Sequence, residues 1–464
     1  MKFIKDPVHG YIRLSDNDLK IIDTPIFQRL RYIKQMSTAF YTYPSAQNSR
    51  FEHSLGVMKL AVEAFENAMV SEFTTIEFDK DTVEYTSKCI RYAALLHDIG
   101  HPPFSHIGEF FYDKEDIIND LNKFIHGKLC IEHIKYSRHP AELMSALVIY
   151  EFFDEILERL EVATEDVVAI ILGLNRGKNL DSSILRLASS IIDSPIDVDK
   201  LDYVLRDCLI SGAQLSTIDM QRLLLSFCVS EDGALAVSRK GLSAVLSLIN
   251  GRESLYRWVY QHHTVCFSDT VMKRIIHFLP IEKRQHIFSK EGIKDLCDDI
   301  TLISYIRKCK DPHVQNLWSY LKERKFLKPL WKDIQEFYAM FSPNTAEELK
   351  RIAYHPKVGD IVFEKFLQEK LNLQDKLIIC SRSFNPYDPE KDRQIIIVYQ
   401  PGKSRIITDY FPHLMMKRIP SLSFYIYTRP KDRQKVIDRL KETSLNEVMD
   451  YAEEIEYNGH NSFN

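Results

Sequence analysis

A mainly α-helical protein with a smaller α+β lobe at its C-terminal end is the fold this sequence predicts, and three observations carry that reading. Apolar residues recur at spacings of three and four through most of the first 280 positions, the period of an amphipathic helix. Short breaks at Gly100, Pro102, Pro103, Gly173, Gly177, Pro195 and Gly212 punctuate the period without long polar tracts between them. Beyond residue 370, β-prone runs alternate instead with short helical patterns.

The first clear helix covers 51–70, where Leu55, Met58, Val62, Phe65 and Met69 share a face, so His53 rides its first turn. The segment 84–97 is also helical in period, and Gly100 with Pro102-Pro103 stops it just after His97-Asp98, which places that pair at a helix end facing a loop. Residues 140–173, 181–210 and 241–279 continue the helical pattern. Asp232-Gly233 signals the turn of a hairpin within 227–238. In the C-terminal part, LIIC at 377–380, IIIVY at 395–399, RIIT at 405–408 and SFYIYT at 423–428 read as strands, with helical patterns at 411–417 and 431–442 and a mobile polar surface loop at 381–393. Along the chain this divides into a core over 1–335, a helical connector over 336–370 and the α+β lobe over 371–464.

The 464 residues carry 61 basic and 65 acidic side chains, a net charge of -4, so no global field draws the chain to nucleic acid or a membrane. A polyanion must be met by a local pocket. Eight cysteines without a C-x-x-C pair argue against a zinc knuckle or a disulfide framework and point to a reducing, cytoplasmic setting. With Asp6 and Pro7 so near the N-terminus and no run of about 18 apolar residues, a soluble, unsecreted protein with no membrane partner is expected.

His53, His97-Asp98 and Asp199 stand in the order of a four-ligand metal site. Imidazole nitrogen and carboxylate oxygen suit a first-row divalent metal and can leave positions open for water or phosphate oxygen. The adjacent His97-Asp98 at a helix end carries most weight, because a carboxylate buried there needs a cation or donors. The following GHPPFSH adds His101 and His106 on a loop stiffened by two prolines. Spacing alone fits a structural metal site or helix capping as well as a catalytic one.

These segments resemble the HD-domain superfamily, and within it the deoxynucleoside triphosphate triphosphohydrolases, in particular the branch that joins a sterile-alpha-motif domain to an HD domain. The resemblance rests on DPVHG at 6–10, IIDTPIFQRLRYIKQ at 21–35, NSRFEHSLGV at 48–57, LLHDIGHPPFSH at 95–106, IDVDKLDYVLRDC at 196–208 and RESLYRWVYQH at 252–262. It implies an HD-domain helical core, here with no sterile-alpha-motif domain expected before it. The implied metal ligands are His53, His97, Asp98 and Asp199, holding a divalent transition metal (Fe, Mn, Zn, Ni or Co), with Mg accompanying the triphosphate. Asp197 and Asp202 read as structural.

The implied reaction is hydrolysis of a dNTP at its α-phosphorus, releasing deoxynucleoside and intact triphosphate. An imidazolium can protonate the leaving oxygen near neutral pH, and the matching positions are His101, His106 and His139. His106 is the candidate general acid, with Glu109, an aspartate in the family's pattern, holding its other nitrogen. Arg50, Lys200 and Arg252 match phosphate-contacting positions. Gln35, Met36, Tyr203 and Asp207 match positions near the sugar, and Tyr260 with Gln261 positions against sugar and base, where Tyr260 would exclude a ribose hydroxyl. Tyr256 departs from the family, which commonly holds histidine there, and Trp258 reads as a helix-core aromatic.

Lys2, Phe3, Ile4, Asp23, Gln28 and Arg31 match the family's guanine-nucleotide activator pocket at a subunit interface, which implies GTP, dGTP or a dNTP as activator and a homodimer or homotetramer. The competing reading of Asp-Thr-Pro is a helix start capped by Asp23, with Arg31 on a solvated face, and the basic residue expected after Tyr-Gln-His is His263. Two other functions stay open: an HD-type phosphodiesterase or nuclease, whose nucleic-acid substrate the charge does not indicate, and a nucleotide-sensing scaffold.

Overall fold

The computed structural model describes residues 1–125, 139–213, 217–374, 376–384, 387, 393–415 and 421–457. It is mainly helical, with short sheets, and divides into two compact units that interleave along the chain. The first comprises Met1–Leu255, Pro280–Ser304 and Tyr387–Arg418; the second comprises Tyr256–Leu279, Tyr305–Pro386 and Ile419–Asn464.

The first unit opens with an antiparallel hairpin, Lys2–Asp6 with Gly10–Leu14, closed by Gly10 at φ 69°. Only Ile12 and Leu14 of its second strand bury apolar side chains, too short an alternation to stand out in the sequence. The helix Arg50–Val70 lies at the centre of this unit and buries Leu55, Met58, Leu60, Ala61 and Phe65. Lys80–Leu96, Ser182–Ile192 and Val198–Ser211 pack around it. Gly173 and Gly212 end their helices in the left-handed conformation at φ 63° and 73°, as their places at breaks in the period predict.

The predicted hairpin forms, Phe227–Val229 against Leu235–Ser238. Its second strand pairs in parallel with Ile396–Gln400, which pairs in turn with Lys403–Ile406, so part of the C-terminal region joins the first unit's sheet. Phe73, Cys228, Ala236 and Val398 form the apolar cluster under it. Where a helix is expected at 411–417, a helical turn comes earlier, at Ile407–Tyr410, followed by a 3-10 turn at Pro412–Met415, and 416–417 lie outside the described residues.

In the second unit, Ser421–Thr428 pairs antiparallel with Leu377–Phe384 on one side and with Lys328–Pro329 on the other. Arg274 and the amide of Ile379 both reach the buried Glu364, tying helices His263–His277 and Gly359–Leu371 to the sheet. The loop expected at 381–393 begins only after 384, since 381–384 belong to a strand; most of its remainder lies outside the described residues. Tyr256–Tyr260 form a π-helical turn in which the Gln261 amide donates to Tyr256 O at 2.9 Å. The wider turn rotates Trp258 outward to 59% exposure, so it is a surface residue and not the core aromatic its helical spacing predicts.

Candidate metal centre and active site

Helix ends converge on one point of the first unit. Ser49 and Glu52 form a capping box that starts the helix Arg50–Val70, leaving Arg50 and His53, three residues apart, on one face of its first turn. The helix Lys80–Leu96 ends at His97, whose Nδ1 donates to Ala94 O at 2.7 Å. Asp197 caps Val198–Ser211 by accepting from Lys200 N at 2.7 Å, which sets Asp199 in that helix's first turn.

His53 Nε2 lies 2.9 Å from Asp199 Oδ1 and 3.5 Å from Asp98 Oδ2. His97 Nε2 lies 3.7 Å from Asp199 Oδ1 and 3.4 Å from Asp98 Oδ1. Both Nε2 atoms are buried and form no hydrogen bond. His97 Nδ1 faces a carbonyl and His53 Nδ1 faces the Asp202 carboxylate at 2.8 Å, so each Nδ1 holds its proton and each Nε2 is the nitrogen left to offer a lone pair to a metal. Two buried lone pairs beside two carboxylates are a donor set that fits a divalent cation, and His53, His97 and Asp199 together can hold one.

Until a cation binds, the carboxylates draw a proton to the same place. Burial disfavours a charged His53, yet Asp199 and Asp202 outweigh it and push the imidazole up to about 10, so a metal ion has to displace the Nε2 proton. His97 is raised likewise against its burial, by Asp98 and Asp199. Burial works to raise Asp98, but Arg50, His97 and His101 hold it well below the usual carboxylate range; burial opposes the lowering of Asp199 too, which His53 and His97 impose. The centre is short of positive charge, the deficit a metal ion makes good.

Asp202, structural by its sequence context, sits at the centre of a buried network. Fully buried, it receives His53 Nδ1 and His9 Nε2, and Arg206 donates to both its oxygens at 2.8 and 2.9 Å. Asp6 completes the network by accepting from Arg206 at 2.7 Å. Gly56 lies on top of it, where a Cβ would overlap Asp202 Oδ1 and fall 2.6 Å from Arg206 Nη2. The signal was present, with Asp199, Asp202 and Arg206 at helical spacing and His9 inside the DPVHG block.

The second cluster follows Asp98 in the chain and ends in the short helix His106–Glu109. Glu109 Oε1 stands between two imidazoles, 2.7 Å from His106 Nδ1 and 3.1 Å from His101 Nδ1, and His101 Nε2 is 3.1 Å from Asp98 Oδ1. Burial acts to raise Glu109, but the two histidines hold it well below the usual range. The side chain of His106 is 72% exposed, so a substrate can reach it, whereas His101 is buried. Arg50 binds Asp98 at 2.6 Å, reaches Ser105 Oγ through Nε at 3.0 Å and again through Nη2, and comes within 3.3 Å of His106 Nε2.

Of the other predicted residues, Lys200 Nζ meets Asp197 at 2.5 Å, and Arg252 donates to Tyr203 Oη at 3.1 Å. Asp207 is buried and accepts from Asn48 Nδ2 at 2.8 Å, while the Gln35 amide donates to Asn48 O at 3.0 Å; Met36 is buried beside it in sequence. His139 is exposed at the start of the helix Pro140–Phe152, and among the described residues no hydrogen bond or ion pair joins it to His101 or His106. Tyr256, Tyr260 and Gln261 belong to the second unit, where the two tyrosine rings meet edge to face at 4.9 Å.

At the N-terminal surface Lys2 and Asp23 lie 3.9 Å apart, both exposed, and Arg31 donates to Gln28 at 2.7 Å while stacking over Phe51. Phe3 is 61% exposed next to them. The helix start there is capped by Thr24 and not by Asp23, since Thr24 Oγ1 accepts from Phe27 N ahead of Pro25.

Comparison with known proteins accords with this geometry. The HD domain family matches residues 50–207, and the HD associated region matches 218–355. An uncharacterised protein of Methanocaldococcus jannaschii is 34% identical over 353 residues, covering 75% of this chain and 62% of that protein. The deoxynucleoside triphosphate triphosphohydrolase SAMHD1 homolog of Dictyostelium discoideum is 30% identical over 450 residues, covering 93% of this chain and 78% of its own length. A crystal structure of a hypothetical protein from Aquifex aeolicus superimposes with a TM-score of 0.67 at 25% identity, covering 95% of this chain and all of the other. The chain spans 60–62% of the length of the first relatives it matches. The HD match over the metal centre, and the likeness to the Dictyostelium protein along nearly the whole chain, place this protein in the HD-domain family, in the branch of the deoxynucleoside triphosphate triphosphohydrolase SAMHD1 and its homologues.

Proposed function

We propose that this protein is a metal-dependent dNTP triphosphohydrolase that converts a dNTP and water to deoxynucleoside and inorganic triphosphate. The observation that carries the reading is a pair of adjoining clusters linked through the segment from His97 to Glu109: two buried Nε2 atoms facing Asp98 and Asp199, and an exposed His106 backed by Glu109. A divalent metal held by His53, His97, Asp98 and Asp199 would lower the pKa of water and neutralise charge on the phosphate oxygens. Arg50, Lys200 and Arg252 bind the phosphates, with Arg50 already fixed by Asp98 and Ser105. His106 gives its Nε2 proton to the leaving 5′ oxygen, while Glu109 at Nδ1 holds the ring and balances its charge. His101, between Asp98 and Glu109, keeps the two clusters in register, and His139 is the remaining imidazole assigned to proton transfer. Gln35, Met36, Tyr203 and Asp207 contact the sugar.

The Lys2, Asp23, Gln28 and Arg31 group is the proposed site for GTP, dGTP or a dNTP as activator, acting in a homo-oligomer. The test is chromatography of the products formed by metal-reconstituted protein from each dNTP, alone and with GTP. Deoxynucleoside with intact triphosphate, absent for Asp199→Ala, supports the reading. Cleavage of single-stranded DNA or a cyclic nucleotide, with dNTPs untouched, would replace it by a phosphodiesterase.

A further inference from the structure

The turn that delivers His106 is held in a conformation its residues resist. Phe104 and Ser105, neither of them glycine, have φ of 58° and 52°, and Ser37 opposite has φ 48°. A side-chain Cβ crowds its own backbone at positive φ, so such a pair persists only where the surroundings impose it. The restraints are visible on both sides of the Phe104 peptide unit. Phe104 N donates to Asp299 Oδ1 at 2.6 Å, and Ser37 Oγ donates to Phe104 O at 2.8 Å.

Asp299 is 3% exposed and spends its other oxygen on the Lys34 amide, at 3.0 Å. Its two acceptors thus couple the segment leading into Gln35 and Met36 to the turn leading into Ser105 and His106. The chain just before Asp299 adds to this hold: buried Arg29 donates to Cys297 O and to the carbonyls of Ile99 and His101, at 2.9–3.0 Å. Past the clamp, Ser105 Oγ meets Arg50, whose Nη2 is 3.3 Å from His106 Nε2. A buried carboxylate is costly unless both oxygens are bonded. Here both bonds go to backbone amides of the two segments that flank the centre.

We propose that Asp299 is a positioning residue for the hydrolysis: by clamping the Lys34 and Phe104 amides at a fixed separation, and with Ser37 on the Phe104 carbonyl, it aims His106 and Arg50 at the reacting phosphate. The proposal rests on the dNTP reading of this same site. Asp299→Asn replaces an oxygen that keeps an acceptor lone pair in either protonation state by an amide NH2 that has none, so one of the two backbone amides is faced donor to donor. Ser37→Ala frees the Phe104 carbonyl and leaves Asp299 intact.

The experiment measures kcat and KM for a dNTP, bound metal per chain, affinity for inorganic triphosphate, and hydrogen exchange in 99–109, for wild type, both variants and the double variant. A misplaced acid and guanidinium lower kcat by roughly 10²-fold in Asp299→Asn, with a smaller loss in Ser37→Ala and a double variant no worse than Asp299→Asn. Metal content stays at the wild-type value, KM and triphosphate affinity change far less than kcat, and exchange at 99–109 rises. Wild-type kcat in both variants overturns the proposal. So does loss of folded protein or metal in Asp299→Asn together with wild-type kcat in Ser37→Ala, because that pattern is structural. If wild type cleaves no dNTP, the reading of the reaction fails by itself, and unchanged exchange at 99–109 in Asp299→Asn overturns the clamp separately.

Discussion

His53 Nδ1 donates to Asp202 Oδ2 at 2.8 Å, and this bond determines which nitrogen of His53 faces the metal centre. With the proton fixed on Nδ1, the buried Nε2 turns its lone pair towards Asp199 and Asp98. Carboxylates in this second layer orient a ligand and raise its basicity, and their loss commonly weakens metal binding by about 10–100-fold. Asp202→Asn should show a loss of that size. Calorimetric titration of the apo-protein with Mn(II) measures it, and wild-type affinity would separate Asp202 from metal binding.

The same network explains Gly56. Alanine there would press its Cβ against Asp202, Arg206 and His9, all within 2.8 Å. Overpacking of this kind costs about 1–3 kcal/mol, and the displacement acts on the His53 tether. Gly56→Ala is expected to unfold at lower urea and to retain less metal after dialysis than wild type. A variant with lowered stability but full metal retention would show that the network tolerates the shift.

His106 and Glu109 make a separable prediction, because neither belongs to the His53, His97 and Asp199 group. Removing a general acid typically costs 10²–10⁴-fold, so His106→Ala should lose turnover in that range while metal per chain stays at the wild-type value. Glu109→Gln keeps the reach and removes the charge, and an intermediate loss is expected. Steady-state kinetics beside elemental analysis decides the matter; unchanged kcat in His106→Ala removes it from the mechanism.

Asp299 gives a pH dependence. Burial pushes its carboxyl up to about 7, with the amides of Phe104 and Lys34 and the charge of Lys34 opposing and Asp298 reinforcing the rise. A folded-state pKa above the unfolded value means the folded chain holds a proton the unfolded chain has released. The resulting stabilisation is complete below about pH 4 and is lost as pH rises through about 7. Relative to Asp299→Asn, wild type should therefore lose stability between those limits, by at most about 1.4 kcal/mol per pH unit, and the difference should level off above pH 8. Urea unfolding of both proteins across this range measures it, and a flat difference would mean that the carboxylate stays ionised.

Much of this was legible in the sequence, for physical reasons that also mark where legibility stops. The 51–70 helix announces itself through an apolar face that must be buried, and His97-Asp98 through an adjacent imidazole and carboxylate at a helix end, which locally demands a cation. Asp202 is only half legible: Arg206 stands four residues on along the same helix, but His9, and Asp6 beyond Arg206, come from a distant segment and complete the network only in the folded chain. Asp299 was invisible because its partners are backbone amides, which carry no sequence signature. The strand at 396–400 could be read from its composition, but not its parallel partner Leu235–Ser238, since pairing register depends on which faces meet. Trp258 was misplaced because helical spacing assumes a uniform turn, and the π-helical segment at Tyr256–Tyr260 breaks that assumption.

The central claim is cleavage at the α-phosphorus with water entering at phosphorus, and hydrolysis in oxygen-18 water tests it most directly. Mass spectrometry of the products should find one labelled oxygen in inorganic triphosphate and none in the deoxynucleoside. Label in the deoxynucleoside, or release of mono- or diphosphate in place of triphosphate, would contradict it.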